Sequence, residues 1–351
     1  MRAIITILVV NAFFSCTQEK ISDPLDYFSH SSSLKAEETI DLEKYNILSP
    51  TNIMYGNNLL IMEDRNQNEL LHIIDMRSQV CVHGVKKGEG PNEIISFGSV
   101  EYTDNMVYYY DIAKKIIYQM DPYQSIKDTL MHYKEYMRLD TDSRPFILSK
   151  IDSNFVATGI FKDKRYLLIS PHGECKNYFV DYPFFESTKD FTPMETSILY
   201  ISSYFAIKPD QTKFICVAQK AGVISFCQVN NGEIEEYKRI SYHAPLVRQT
   251  KDTNMPAIAY KKDNKVAFCG VACNDKYIYA LYSGRSFTSH GDESFQCEHL
   301  LVYDWNGNPI KRYHLDKPLF SFCLDSDNQV VYGITFSPEG NVVKYNLEKD
   351  K

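Results

Sequence analysis

Short apolar runs and short polar breaks alternate along the chain, and one phrase recurs six times. A turn of Asp, Asn, Gly or Ser introduces an apolar strand, a polar break follows, and a second apolar strand runs into another turn. In the first copy Gly56-Asn57-Asn58 leads into Leu59-Leu60-Ile61-Met62. Asp64 to Asn68 form the break, and Leu70 to Asp75 form the second strand. Later copies open at Thr103-Asp104-Asn105, Asp152-Ser153-Asn154, Pro209-Asp210-Gln211, Asn274-Asp275-Lys276 and Ser326-Asp327-Asn328. The third turn residue falls at 58, 105, 154, 211, 276 and 328, so the spacings are 47, 49, 57, 65 and 52.

A period near fifty with two to four strands per unit is how a propeller blade reads. A lone blade leaves both of its faces bare, whereas blades stacked around an axis cover one another. Turn signals without regular helical segments between them exclude a βαβ sheet. A tandem β-sandwich does not predict six copies of one phrase. The pattern therefore predicts an all-β, six-bladed β-propeller with four-stranded antiparallel blades over residues 46–349. Two segments interrupt it. Ile126, Leu130, Tyr133 and Met137 have helical spacing, so Ser125 to Leu139 holds either a short helix after the second blade or, in its first half, that blade's outer strand. Residues 241–263, with Pro245 and Pro256, read as a long loop before the fifth blade.

The N-terminus changes the picture of location. Met1-Arg2 is followed by the apolar run Ala3 to Phe14, broken only by Asn11, then by Ser15-Cys16 and the polar Thr17-Gln18-Glu19-Lys20. A dozen apolar residues are too few to span a bilayer and suit a signal-peptide core. The small residue before Cys16 fits a lipobox, with Phe13 where leucine is usual. Residues 1–15 are expected to be a lipoprotein signal peptide and Cys16 the lipidated residue. The polar stretch 16–45 is expected to be a tether with a possible closing strand. The expected location is the cell envelope, held to the membrane by the lipid alone. Eight further cysteines sit largely in apolar strands, as in Phe214-Ile215-Cys216-Val217, and read as unpaired small hydrophobes, suited to a host living without oxygen.

Composition narrows the partners. Tyr and Phe number 26 and 20 against a single Trp, a bias towards pleated, half-buried surface. Net charge is −7, and no basic cluster exceeds Lys86-Lys87 or Lys261-Lys262, which argues against nucleic acid. A monomer that meets an unknown protein or small-molecule ligand is expected.

Four phrases carry a family likeness. They are Gly88-Glu89-Gly90-Pro91-Asn92-Glu93-Ile94, Ala280 to Arg285, Leu301 to Pro309 with its Tyr303-Asp304-Trp305 turn, and Val343 to Leu347. Together with the lipobox they resemble the TolB-like six-bladed β-propeller lipoproteins of gram-negative gut anaerobes. The resemblance implies export, a six-bladed fold and, for most members, no established activity. It carries over Gly88, Gly90, Pro91 and Glu93; Asn92 stands where a glycine is often found.

Candidate chemistry is sparse. There is no HExxH, GxSxG or GxxxxGK[ST] motif, and no cofactor or metal is expected. Asp140-Thr141-Asp142 and Asp325-Ser326-Asp327 start like calcium loops but lack the later glycine and glutamate, and read as turns. The loop from Gly88 to Glu93, flanked by Lys86 and Lys87, offers backbone N–H groups and positive charge to an anion. The favoured reading is an inter-blade connection that needs φ > 0 at a glycine. Arg285 reads as a channel contact or a solvated charge. The first reading of function is a non-enzymatic binding or scaffold protein. The alternative is a lyase or hydrolase with its site at the channel mouth.

Overall fold

The computed structural model describes residues 22–90, 93–175, 177–250, 258–337 and 339–347. Before the first blade come β1 (Ser31–Leu34) and β2 (Glu38–Asp41). Blade 1 is β3 (Asn52–Gly56), β4 (Leu59–Glu63), β5 (Glu69–Asp75) and β6 (Cys81–Lys86). Blade 2 is β7 (Phe97–Thr103), β8 (Met106–Asp111), β9 (Ile116–Asp121) and β10 (His132–Arg138). Blade 3 is β11 (Arg144–Ile151), β12 (Asn154–Ile160), β13 (Tyr166–Ile169) and β14 (Asn177–Phe179). Blade 4 is β15 (Ser203–Ile207), β16 (Lys213–Ala218), β17 (Val223–Asn230) and β18 (Glu233–Ser241). After a small hairpin, β19 (Val247–Gln249) and β20 (Ile258–Tyr260), blade 5 is β21 (Phe268–Cys273), β22 (Tyr277–Tyr282), β23 (Cys297–Asp304) and β24 (Pro309–Leu319). Blade 6 takes β25 (Ser321–Leu324), β26 (Val330–Thr335) and β27 (Asn341–Asn346) from the C-terminal end and β2 from the N-terminal end.

Each blade is antiparallel, with its first strand innermost, so the protein is a six-bladed β-propeller. The ring closes where Glu38–Asp41 pairs with β27, Thr39 opposite Val343 and Asp41 opposite Asn341. The stretch read as a tether with a possible closing strand thus supplies that strand and belongs to the fold from Ser22 onward. It also supplies β1, which lies parallel to β24 on the outer edge of blade 5.

Second and third strands are sandwiched between neighbouring blades, which is why they read as unbroken apolar runs rather than alternating ones. All five residues of β4 are buried. The core is divided into six wedges, one between each pair of blades. Alternation assigns side chains to wedges: Tyr109 packs towards blade 1, while Tyr108 and Tyr110 pack towards blade 3.

The repeated turns join first strands to second strands. Asn57 and Asn58, like Asp104 and Asn105, have positive φ, the geometry of two-residue hairpins in which Asn and Asp are tolerated. The helical spacing after blade 2 resolves into α1 (Pro122–Asp128), capped by Asp121, whose carboxylate accepts from the Tyr123 and Gln124 N–H groups. It lies inside blade 2, and β10 after it is the outer strand. The second half of that segment, not the first, completes the blade. Among the described residues no helix is long and apolar enough to cross a membrane. The eight described cysteines are free thiols, five of them buried.

Two buried histidines, His72 and His243, and the partly buried His299 give the fold a pH dependence. Burial and the neighbouring His83 push His72 down to about 4, and burial with the Lys265 charge does the same to His243. Burial and His314 also lower His299. Unfolded imidazoles take up protons near 6.5, so between that pH and about 4 the unfolded chain binds more protons than the folded one. The stability of the neutral state is therefore lost as pH falls through this window. Carboxyls raised by burial act in the opposite sense over the same window, so the test is differential. Tm should fall less between pH 6.5 and 4 for His72→Gln than for wild type, and parallel profiles of the two would contradict the His72 assignment.

Candidate functional site

The six inner strands enclose an axial channel with a volume of about 610 Å³. Strand direction is the same in every blade, so the channel has two distinct mouths. One faces the connections that run from each blade to the next and from second to third strands; here it is termed the connection face. The repeated turns surround the other.

At the connection face Arg65 leaves the end of β4 and is fixed on three sides. Its Nε pairs with Glu63, its Nη2 donates to the Gly98 carbonyl at 2.7 Å, and its guanidinium lies 5.7 Å from the Phe97 ring centroid. Burial pushes the Glu63 carboxyl up while the Arg65 charge pulls it down, and burial wins. About half of the Arg65 side chain stays open. Tyr204 faces it from blade 4, accepting from Gln219 Nε2 at 2.8 Å, with its hydroxyl pushed up by burial and within reach of the Arg65 charge. Ser321 donates to Asn52 at 3.0 Å, which ties blade 6 to blade 1 beside the same mouth. Phe146, Phe205, Phe320 and Phe322 line the walls. The neighbouring Asp64 is buried and structural, accepting from the Ser49 and Asn66 N–H groups.

Towards the other mouth Glu101 on β7 accepts from Ser149 Oγ at 2.5 Å and from the Lys150 N–H at 2.6 Å. Desolvation by the surrounding walls dominates these bonds and pushes its carboxyl up to about 7. Lys150 pairs with Asp104 at 2.6 Å. The repeated turns tie blades together here. Asn57 donates to Asn105, and Gln211 of blade 4 accepts from the Asp152 N–H at 2.5 Å and donates to Asp104 at 3.4 Å.

Of the sequence candidates, Cys16 and Pro91 lie outside the described residues. Lys86 and Lys87 are exposed. Gly88 and Gly90 have no positive φ, contrary to expectation. Glycine is needed there for room instead. A β-carbon on Gly88 would sit 2.1 Å from Glu93 Oε2, and one on Gly90 2.9 Å from it. The Glu93 carboxylate turns back into the loop and accepts from the Gly90 N–H at 2.8 Å, so the loop holds an anion of its own. Lys114 Nζ clamps the carbonyls of Gly90 at 2.8 Å and Glu93 at 2.6 Å. Buried Asp111 accepts four backbone N–H groups, from Ile95, Ser96, Ala113 and Lys114. This makes the loop a fastener between blades 1 and 2. Arg285 is absent from the channel lining and pairs with Glu298 at 2.5 Å. Calcium-like Asp140 and Asp325 remain turns; among the described residues no three His, Cys, Asp or Glu side chains gather to hold a metal ion.

Sequence reading missed Arg65, Tyr204 and Glu101. Arg65 stood inside a polar break, whereas Glu101 carried a usable signal as a charge between Val100 and Tyr102 in an inner strand.

The model of the TolB-like 6-blade propeller-like family matches residues 26–327. The chain belongs to that family. No curated protein sequence matches this TolB-like propeller. Among solved structures it is similar to a calcium-binding protein, regucalcin, from Agrobacterium tumefaciens, with 12% identity and a TM-score of 0.53 over 90% of this chain and 96% of that one. It is also similar to a putative exported protein from Bacteroides fragilis, with 12% identity and a TM-score of 0.50 over 92% and 99%. At such identities the likeness concerns the fold alone.

The loop account makes a testable claim. Gly88→Ala and Glu93→Ala should each destabilise the TolB-like propeller by about 1 kcal/mol, the worth of one hydrogen bond. Because both remove the same contact, the double variant should cost no more than the worse single one in denaturant melts. Additive losses would show that Gly88 makes room for something else.

Proposed function

We propose that this TolB-like propeller is an exported, lipid-anchored binding protein that holds a small aromatic carboxylate in its axial channel. The observation that carries the reading is Arg65. A guanidinium fixed by Glu63, Gly98 and Phe97 yet half open to an aromatic-walled channel needs no reordering to receive a carboxylate. The cavity volume falls within the range of small-molecule sites. Tyr204 and Gln219 supply polar contacts opposite, and the Phe and Tyr side chains supply faces for stacking. A binding role is favoured over hydrolysis or elimination because Glu63, the carboxylate at this mouth, is already engaged by Arg65 and Asp64 by backbone N–H groups.

Calorimetry with benzoate, 4-hydroxybenzoate and benzylamine tests the channel. The carboxylates should bind and benzylamine should not, and Arg65→Met should weaken binding at least tenfold without lowering Tm by more than a few degrees. Equal affinity of wild type and Arg65→Met would overturn the reading, and recovery of altered ligand would favour the enzyme. The anchor rests on Ser15-Cys16 after the apolar run. Intact mass of protein from its native envelope should show a lipid that Cys16→Ala lacks; a wild-type chain that retains residues 1–15 without lipid would refute the anchor.

A further inference from the structure

The propeller leaves few large apolar side chains exposed, and their distribution is uneven. Leu48, Ile95, Phe184, Leu246 and Phe287 all stand on connections at the face where Arg65 opens. The opposite face carries Tyr123 and Leu130, both in the connection between β9 and β10, while Tyr27 stands on the N-terminal segment and Tyr136 on the outer strand β10. Two of the five are brought together by the adjacent Lys261 and Lys262. Leu246, 38% exposed, accepts from the Lys261 N–H at 2.8 Å, and its own N–H donates to Asn264. Phe287, 48% exposed, lies 5.5 Å under Lys262 Nζ, and the Lys262 carbonyl accepts from the Thr288 N–H. The Lys262 ammonium over the Phe287 ring, with Lys261 beside it in sequence, sets cationic groups next to apolar side chains, a combination that suits the boundary between lipid and water. Asp263 follows Lys262 directly and Asp292 lies five residues past Phe287, so apolar burial rather than net charge would hold the contact.

The N-terminal chain enters at the same face. The Ser22 N–H donates to the Tyr242 carbonyl, just past the end of β18, and Asp23 pairs with Lys265 at 3.4 Å, just before β21. Five residues lie between Cys16 and Ser22, six steps along the chain, a reach of about 20 Å when fully extended. A blade strand of five to seven residues already spans roughly 17–23 Å. A lipid on Cys16 would thus have to exhaust its tether merely to draw level with the opposite face.

We infer that the connection face lies against the lipid surface, with Leu246 and Phe287 seated in the bilayer interface and the Arg65 mouth turned towards the membrane. This rests on the anchor at Cys16. The consequence is that a channel ligand enters either from the membrane side or through the mouth ringed by the repeated turns.

The test uses the full lipidated chain in vesicles of phosphatidylcholine brominated on its acyl chains, since bromine quenches a nearby indole. F287W and L130W place an indole at exposed positions on the two faces. Buried Trp305, which donates to the Asn274 carbonyl at the turn face, is a built-in reference. The F287W indole should lose most of its emission relative to vesicles without bromine, while L130W behaves like wild type. Equal quenching of the two variants, or quenching of L130W alone, would overturn the orientation. Intact mass of the same preparation separates the two claims: a chain without lipid refutes the anchor and this inference with it, whereas a lipidated chain with unquenched F287W refutes the orientation alone.

Discussion

Pairing of Glu38–Asp41 with Asn341–Asn346 is the interaction on which the remainder of the propeller depends. A propeller has no single centre of apolar packing; its core is a set of wedges, each needing a blade on either side. Without the closing strand, blade 6 would lack its outer strand and the wedge between blades 6 and 1 would open. Leu42, Tyr45 and Ile47, which follow the closing strand directly, fill that wedge beside Leu60, Met62 and Ile334. Closure joins segments some three hundred residues apart. The entropic cost of such a loop grows only with the logarithm of its length, so buried wedge surface can offset it.

Once closed, the ring decides which side chains meet. Arg65 and Tyr204 come from opposite blades and share a channel because the inner strands of blades 1 and 4 stand across the axis from one another. The polar groups of the channel are held by neighbours on adjacent blades. Glu101 of blade 2 takes its hydrogen bonds from Ser149 and Lys150 of blade 3, and Arg65 of blade 1 reaches Gly98 of blade 2. The same contacts that join blades therefore also preorganise the channel, which suits a site that receives a ligand without rearranging.

Legibility in the sequence followed burial. The second and third strands are covered on both faces, so their apolar runs and the turns before them were visible as a repeat. Outer strands are half exposed, and β14 spans only Asn177–Phe179, so they left little pattern. The segment read as a tether with a possible closing strand holds two strands of slight apolar content, β1 and β2, which pair at the outer edges of blades 5 and 6. The loop from Gly88 to Glu93 was recognised as a special connection, but for the wrong reason. Its glycines serve the space taken by the Glu93 carboxylate, a contact within the loop that no φ rule foretells.

By itself the sequence determined the blade number, the antiparallel phrase and the candidate export signal, because each is written in local order: turn chemistry, strand burial and an apolar run before a cysteine. Tertiary structure alone decided which residues form the closing strand, the withdrawal of Arg285 to Glu298, the opening of Arg65 and Tyr204 onto one channel, and the meeting of Glu101 with Ser149. These depend on distances across the axis or between blades, and such distances exist only after six wedges have been packed and the ring has shut.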